Sequence, residues 1–245
     1  MAEIKLKSYT LTTAQDDIFI IPNPDTKFRC SEDEYSTNFD YIHKIVLLTR
    51  THPEALDIIK EYLAELPDKI NCTNDNEWTP LHLACENSNT DSTEETVELL
   101  LSHPHINVNL KNYYGYSALH LACLNSNTEG IVKLLLSHFD IDVNLRSSDE
   151  NTALHYACCD EQLERVIELL LLHPKINVNL QDGCGRTALH HACIDQLERV
   201  MELLLAHPKI NVNLRDMYGE TVLHYACNHS NPNVVVVRML LAKII

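Results

Sequence analysis

Glycine and positive charge are both scarce in this chain. Only 5 of its 245 residues are glycine and 45% are apolar, a composition that fits a helical protein better than a sheet protein. Its 19 lysine and arginine residues face 35 aspartate and glutamate residues, which leaves a formal net charge of −16. That charge argues against binding to nucleic acid or to anionic membranes, both of which require a cationic footprint. It is compatible with a protein partner that has a basic surface.

Long apolar runs and catalytic motifs are missing as well. The four valines at 234–237 are interrupted by Arg238 and Lys243, so this stretch is not a membrane span. Residues 1–10 lack the apolar region of a secretory signal. The sequence has no G-x-S-x-G, no glycine loop for phosphate and no carboxylate pair set apart from the rest. We therefore expect a protein that is not an enzyme and needs no cofactor.

One phrase, roughly I-N-V-N-L-x-D-x-x-G-x-T-A-L-H-x-A-C, returns five times and defines repeats 1 to 5. Its histidine falls at His82, His120, His155, His190 and His224. The asparagine before it falls at Asn71, Asn109, Asn144, Asn179 and Asn213, and the cysteine after it at Cys85, Cys123, Cys158, Cys193 and Cys227. Each series advances by 38, 35, 35 and 34 residues. A fixed period of this size is the signature of a stacked repeat array, and such arrays bind more often than they catalyse.

Each copy of the phrase carries two helical patterns. The first begins with a capping hydroxyl such as Thr187 and continues with apolar residues at helical spacing. The second is leucine-rich and ends at a histidine–proline pair such as His207-Pro208, because proline cannot continue a helix. The repeats differ in length only between these helices, which predicts a solvated loop there. The longest copy, residues 86–96, is acidic and hydroxyl-rich, and we expect it to be mobile.

The residues Thr79-Pro80-Leu81-His82-Leu83-Ala84 closely resemble the T-P-L-H-x-A motif of the ankyrin-repeat family. This resemblance implies an all-α solenoid with β-hairpin turns, built from five or six helix-turn-helix repeats. Five of them cover residues 71–245, the last without an evident polar cap, and a degenerate repeat covers 38–70, with its second helix at 55–66. Residues 1–37 lack the repeat and form either a tail or a cap. The turn glycine is replaced by Glu77 and Glu150, which leaves the turn geometry open at those two tips.

In the ankyrin-repeat family, contacts with a partner come from the turn tips and the ends of the first helices, on one concave face. The resemblance therefore implies a non-catalytic scaffold or adaptor that binds another protein. Tryptophan and tyrosine dominate binding hot spots, and the sole tryptophan and four of the ten tyrosines fall on these tips. We expect the partner to contact Asp75, Asn76, Trp78, Tyr113, Tyr114, Tyr116, Leu124, Asp149, Asn151, Arg186, Ile194, Met217, Tyr218 and Glu220.

The repeated histidine and cysteine lie one helical turn apart, a spacing that is compatible with metal ligation. Because the pair recurs in every repeat, we expect no metal and favour structural roles. In the family the histidine ties adjacent turns together, and the cysteine is a small core residue. Equivalent cysteines in stacked helices lie about 10 Å apart, too far for a disulfide, which indicates a reducing compartment such as the cytoplasm. His105, His191 and His229 break the period, and we assign them to the surface without a role.

Four other interpretations stay open. The chain could be the regulatory or targeting part of a larger enzyme, or could self-associate through its last repeat, because residues 240–245 are largely apolar. A scaffold of this family could also be an effector of an intracellular bacterium or virus, acting in the host cytoplasm. Finally, an oxygenase can hydroxylate the V-N asparagines of this family. A hydrogen bond that stabilises the turn is the competing role for these asparagines.

Overall fold

The computed structural model of the chain describes residues 9–12, 18–21, 41–49, 52, 55–86, 91–125, 128–228 and 234–244. Most of the segment 1–37, part of the loop predicted at 86–96 and His229 lie outside these residues. The described chain forms two compact units, residues 1–107 and 108–245, which we call unit 1 and unit 2.

The described residues of unit 1 form a short hairpin, four α-helices and one 3₁₀ helix. Strands β1 (Tyr9–Thr12) and β2 (Ile18–Ile21) pair antiparallel, with Tyr9 opposite Ile21. The helices are α1 (Tyr41–Leu48), α2 (Ala55–Glu65), α3 (Pro80–Glu86) and α4 (Asp91–Leu101), and a 3₁₀ helix spans Pro67–Asn71. Helix α1 packs against α2 and α3, and α4 packs against α2 and α3, so the two helix pairs lie in two layers.

The described residues of unit 2 form four further helix pairs, each with a first and a second helix. Its helices are α5 (Ala118–Ala122), α6 (Glu129–Ser137), α7 (Ala153–Ala157), α8 (Glu164–Leu172), α9 (Ala188–Ile194), α10 (Glu198–Ala206), α11 (Val222–Asn228) and α12 (Val234–Ile244), with a 3₁₀ turn at Glu161–Leu163. The odd-numbered first helices α5, α7, α9 and α11 pack on one another in sequence. The second helices α6, α8, α10 and α12 form the other layer. The apolar faces of both layers make the core, as the helical periodicity requires.

The repeated histidine after the second helix, rather than the proline, ends that helix. In α8 and α10 the chain turns into an extended conformation at His173 and His207. Each ring Nδ1 then accepts a hydrogen bond from the backbone N–H two residues later, at 3.3 Å. His138 makes the same bond although Phe139 replaces the proline. The turn is therefore kept without proline because the histidine side chain stabilises it.

The loop predicted at 86–96 is shorter than expected. Residues from Asp91 onward belong to α4, and Thr93 and Thr96 are buried. The hydroxyl of Thr96 donates a hydrogen bond to the hydroxyl of Thr49 at 2.9 Å. The hydroxyl-rich sequence predicts a solvated loop. In the structure the hydroxyl of Thr96 is hydrogen-bonded inside the protein, and helix α4 continues beyond this residue.

Candidate functional site

In repeats 1, 2, 4 and 5 the turn tip is held by the side chain that begins the turn. In repeat 2 the side-chain oxygen of Asn112 accepts hydrogen bonds from the backbone N–H groups of Tyr114 and Tyr116, both at 3.0 Å. Asp182 and Asp216 do the same in repeats 4 and 5, and Asn74 in repeat 1. Such local bonds fix the backbone of a turn. The side chains at the tips are therefore presented on a rigid support.

A residue in the left-handed region completes each tip. Gly115, Gly185 and Gly219 have φ values of 76°, 76° and 80°, and Glu77 and Glu150 have values of 61° and 64°. The two glutamates thus adopt the conformation of the glycines that they replace. The sequence left the turn geometry open at these tips, and the structure shows that the geometry is kept at the cost of placing an L-residue in an unfavourable region.

Neighbouring tips of unit 2 are joined by backbone hydrogen bonds. The N–H of Ser148 donates to the carbonyl of Tyr114 at 3.4 Å, and the N–H of Gly183 donates to the carbonyl of Asp149 at 3.1 Å. The N–H of Met217 donates to the carbonyl of Cys184 at 2.9 Å. The four tips of repeats 2 to 5 therefore form one continuous row.

The repeated histidines connect the first helices to the next tip. Nδ1 of His120 accepts a hydrogen bond from the backbone N–H of Ser117 at 3.0 Å, so the neutral ring carries its proton on Nε2. Nε2 lies 3.1 Å from the carbonyl oxygen of Asn151 in the next repeat and donates to it. His155 is bound in the same way and donates to the carbonyl of Arg186. Both ring nitrogens are occupied, so these histidines are structural.

Burial lowers the pKa of His120 and of His155 to about 4, although the carbonyls that they contact favour the charged ring. Burial also raises the pKa of the repeated Cys123 and Cys158 thiols. Within the described residues there is no group of three His, Cys, Asp or Glu side chains placed to hold a metal ion. The fifth cysteine of the series differs, because Cys227 is exposed.

The repeated asparagines form a second connection between repeats. The side-chain amide of Asn144 donates to the carbonyl of Lys175 at 2.7 Å, and its oxygen accepts from the N–H of Asn177 at 2.8 Å. Asn71, Asn109 and Asn179 make equivalent pairs of bonds. These bonds supply the turn-stabilising role that was set against hydroxylation.

Trp78 does not occupy the solvated position that was expected for it. Only 7% of the residue is exposed, and its ring meets the edge of His82 at 6.1 Å between centroids. Its backbone carbonyl accepts hydrogen bonds from Nε2 of His43 at 2.8 Å and from the N–H of Asn74. Trp78 was expected among the residues that contact a partner, but its ring belongs to the core of unit 1. Of its predicted neighbours, Asp75 is exposed and Asn76 is half-buried.

The tyrosines of repeat 2 match the expectation more closely. Tyr113 is 69% exposed and Tyr114 is 55% exposed, and their rings meet edge-to-face at 5.5 Å. Tyr116 is half-buried and its ring meets that of Tyr156 edge-to-face at 5.6 Å. These four rings, which we call the tyrosine cluster, span repeats 2 and 3. Leu124 and Asp149 are exposed nearby along the chain, whereas Asn151 is half-buried.

Four predicted residues of repeats 4 and 5 surround one depression. Arg186, Ile194, Tyr218 and Glu220 line a volume of 430 Å³ together with Tyr225 and Asn228. Tyr218 is 71% exposed, and Met217 beside it is exposed as well. The depression shows that turn tips and first-helix ends form one surface here.

Tyr225 lines this depression, and its side chain is held by two contacts. Its hydroxyl donates to Oδ2 of Asp216 at 2.6 Å, and the guanidinium carbon of Arg186 lies 5.7 Å from the centre of its ring. Burial would raise the pKa of Asp216, but the hydroxyl of Tyr225 and the N–H groups of the turn lower it, so the carboxylate is ionised. The carboxylate of Asp216 therefore stabilises both the turn tip of repeat 5 and the ring of Tyr225.

Tyr156, His191 and Tyr225 were missed, and they share one position. The residue after the repeated histidine is Leu83, Leu121, Tyr156, His191 or Tyr225 in successive repeats. This position varies as the tips do, and the same criterion would have identified it. His191 was assigned no role, yet its Nε2 donates to Oδ2 of Asp182 at 2.9 Å and its ring meets His155 edge-to-face at 5.6 Å. That assignment is wrong because the ring supports the tip of repeat 4.

His191 also takes part in an arrangement of three side chains that no contiguous sequence motif predicts. Sγ of Cys159 lies 3.8 Å from Nδ1 of His191, whose other nitrogen is held by Asp182. The order thiol, imidazole and carboxylate is that of a nucleophile, its base and an orienting group. However, burial and the charge of Asp195 raise the pKa of the Cys159 thiol to about 11. The thiol stays protonated and donates to the carbonyl of His155, so the arrangement gives no support for catalysis.

Stacked helix pairs, rigid tips and histidine links between repeats define a repeat solenoid. Comparison with family models finds the ankyrin repeats model in overlapping matches at residues 49–147, 93–182, 128–216 and 154–244. The chain therefore belongs to the ankyrin-repeat family, and the predicted fold is confirmed. The repeats of this family mediate protein–protein interactions and are typically non-catalytic.

Solved structures show the same fold. The ankyrin repeat protein EF0377 superposes with a TM-score of 0.68 at 20% identity, over 82% of this chain and 97% of that chain. The ankyrin repeat domain of Bcl-3, a member of the IkappaB family, gives a TM-score of 0.65 at 24% identity, over 82% of each chain. Comparison with curated proteins gave no match. Within the described part of the chain, no helix is both long and apolar enough to cross a membrane.

Proposed function

We propose that this chain is a protein-binding adaptor whose partner docks on the row of tips and first-helix ends of unit 2. The observation that carries this proposal is the exposure of Tyr113, Tyr114 and Tyr218 on turns that hydrogen bonds hold rigid. Large aromatic side chains that are already ordered lose little conformational freedom on binding, which favours affinity. Trp78 is not part of this proposed surface.

The partner that we propose has a basic surface and meets the adaptor in a reducing compartment such as the cytoplasm. The net charge of −16 supports the first point, since complementary charge accelerates association and fixes orientation. None of the eight described cysteines forms a disulfide with another described residue, which supports the second. The same features are compatible with an effector that acts in a host cytoplasm.

The experiment is affinity capture from cytosolic lysate with wild-type chain and with a Tyr113→Ser/Tyr114→Ser variant. Loss of two such anchors should weaken binding by roughly 700-fold, because hot-spot residues each contribute about 2 kcal/mol or more and about 1.4 kcal/mol corresponds to a factor of 10. Phe139→Ser is the matched control, since Phe139 is 80% exposed but lies after a second helix, away from the tips. Proteins retained by wild type and control but not by the double variant are the expected result. Equal recovery with all three chains would reject the tips as the docking surface.

We also propose self-association through helix α12. Val236 and Leu240 are buried, whereas Val234, Val235 and Leu241 are exposed, so the helix has apolar side chains on more than one side. Sedimentation equilibrium should show a dimer that Leu241→Lys weakens. A wild-type chain that remains monomeric at about 100 µM, near the upper concentrations at which weak complexes form, would reject this contact.

A further inference from the structure

The depression between repeats 4 and 5 contains one positive and one negative side chain that do not pair with each other. Arg186 and Glu220 both line it. Among the described residues, Arg186 has no carboxylate within salt-bridge distance, whereas Arg146, Arg165 and Arg199 each have one. Arg215 also lacks a carboxylate partner among the described residues, but its guanidinium donates to the carbonyl of Gly219.

The backbone of Arg186 is fixed although its charge is unpaired. Its N–H donates to Oδ1 of Asp182 at 2.8 Å, and its carbonyl accepts from Nε2 of His155 at 3.1 Å. The guanidinium rests against the ring of Tyr225, while its Nε is buried without a hydrogen-bond partner. Arginine in this setting retains donors for a planar anionic group such as a carboxylate.

Glu220 is the complementary group. Its side chain is 40% exposed, and its Oε2 has no hydrogen-bond partner. The nearest ring nitrogen, Nδ1 of His224, lies 3.8 Å away and already accepts from the N–H of Thr221, so the neutral ring cannot donate to the carboxylate. A carboxylate whose oxygen lacks a hydrogen-bond partner favours a donor that carries positive charge.

A ligand of one charge would fit this depression poorly. An anion that reached Arg186 would approach Glu220, and a cation that reached Glu220 would approach Arg186, because both side chains line the same depression. A segment that carries both charges satisfies each group and avoids both repulsions. Ile194 and the rings of Tyr218 and Tyr225 supply apolar surface for the stems of long charged side chains.

We propose that this depression binds a peptide segment of the partner in which an acidic side chain pairs with Arg186 and a neighbouring basic side chain pairs with Glu220. The volume of 430 Å³ lies within the range of about 300–1,000 Å³ that is typical of ligand pockets. This inference rests on the proposed function and specifies the chemistry of one part of the docking surface.

The test uses a phage-displayed library of random 12-residue peptides, selected on the immobilised full chain. Enriched peptides should share one acidic and one basic residue at a constant spacing. Their affinities for wild type, Arg186→Gln and Glu220→Gln are then measured by fluorescence polarisation. Each substitution should weaken binding about 10-fold, the effect of one charged hydrogen bond. Arg199→Gln is the matched control, since Arg199 is exposed and lies on the second-helix layer.

A double-mutant cycle separates pairing from a general structural effect. Replacing the acidic residue of the peptide by its amide should cost about 10-fold on wild type and little on Arg186→Gln. Independent losses would overturn the pairing, as would enriched peptides without the two charges. Peptides that respond to Tyr113→Ser/Tyr114→Ser but not to Arg186 or Glu220 would overturn this inference and leave the proposed function standing. Failure to enrich any peptide would overturn both.

Discussion

Alanine at the turn glycines separates backbone strain from contact between neighbouring tips. Gly115 and Gly219 have nearly equal φ values of 76° and 80°, so the strain of an L-residue, roughly 1 kcal/mol, should be the same at both. Their surroundings differ. A Cβ on Gly115 would lie 2.5 Å from Oγ of Ser148 and in hard contact with the backbone nitrogen of Ser148, whereas a Cβ on Gly219 meets nothing within 4 Å.

The backbone of Ser148 cannot retreat from this clash without loss, because its N–H donates to the carbonyl of Tyr114. Inserting a methyl group into a contact of this kind costs about 1–3 kcal/mol. We therefore expect Gly115→Ala to lower the free energy of unfolding by about 2–4 kcal/mol and Gly219→Ala by about 1 kcal/mol. Gly185→Ala should fall between them, since its Cβ would lie 2.8 Å from the backbone nitrogen of Met217.

The measurement is urea denaturation followed by circular dichroism at 222 nm. Gly183→Ala is the control for substitution itself, because Gly183 lacks a positive φ and its Cβ would stay 3.2 Å from its nearest neighbour. The reasoning is refuted if Gly115→Ala and Gly219→Ala lose the same free energy. Equal losses would mean that neighbouring tips do not contribute to each other's stability.

Three further predictions concern the links between repeats. Glu150→Gly should raise the free energy of unfolding by roughly 0.5–1 kcal/mol, because relief of a φ of 64° outweighs loss of a surface ion pair; a loss in urea denaturation would contradict this. His120 and His155 have pKa values of about 4 in the folded chain, so between about pH 4 and 6.5 the unfolded chain binds more protons than the folded chain. The free energy of unfolding therefore falls on acidification, by about 2 kcal/mol per histidine at pH 5. Denaturation at pH 7.5 and pH 5 tests this, and His120→Gln should reduce the difference between them. Asn144→Ala should cost about 1–2 kcal/mol and Asn213→Ala almost nothing, since among the described residues only the backbone N–H of Asn213, and not its side chain, is found in a hydrogen bond; equal effects on the melting temperature would contradict the assigned role.

The fold could be predicted because the same capping residues and helical spacing recur in several repeats. The hydroxyl at the start of α5, α7 and α9 was predicted as a cap, and in each helix it forms a reciprocal capping box with the repeated histidine. The second helix expected at 55–66 is observed as α2, which ends at Glu65. A pattern that recurs with helical spacing determines which face is buried, and that face determines how the repeats stack.

The site could be predicted only in part, because exposure depends on what packs against a residue from the next repeat. Trp78 and Tyr116 occupy the same position, directly before the hydroxyl that caps the first helix, yet Trp78 is only 7% exposed and Tyr116 is half-buried. Their position in the repeat does not distinguish them. Likewise Cys159 and His191 come from different repeats and meet only after stacking. Sequence period locates the tips, whereas the contacts between repeats decide which tip residues remain available.

Stability and binding are carried by different positions of the repeat. The residues that recur in every copy, such as His155 and Asn144, have their polar atoms bonded to the next repeat, so they have little capacity left for a partner. Arg186 and Glu220, at positions that change from copy to copy, each have one buried polar atom without a hydrogen-bond partner, as the recurring His190 also has at Nε2. An unpaired buried polar atom costs free energy in the isolated protein, and a partner that supplies the missing bond recovers it. Arg186 and Glu220 carry this free-energy cost, although the stacking of the repeats does not require them. We therefore place specificity for the partner at repeats 4 and 5.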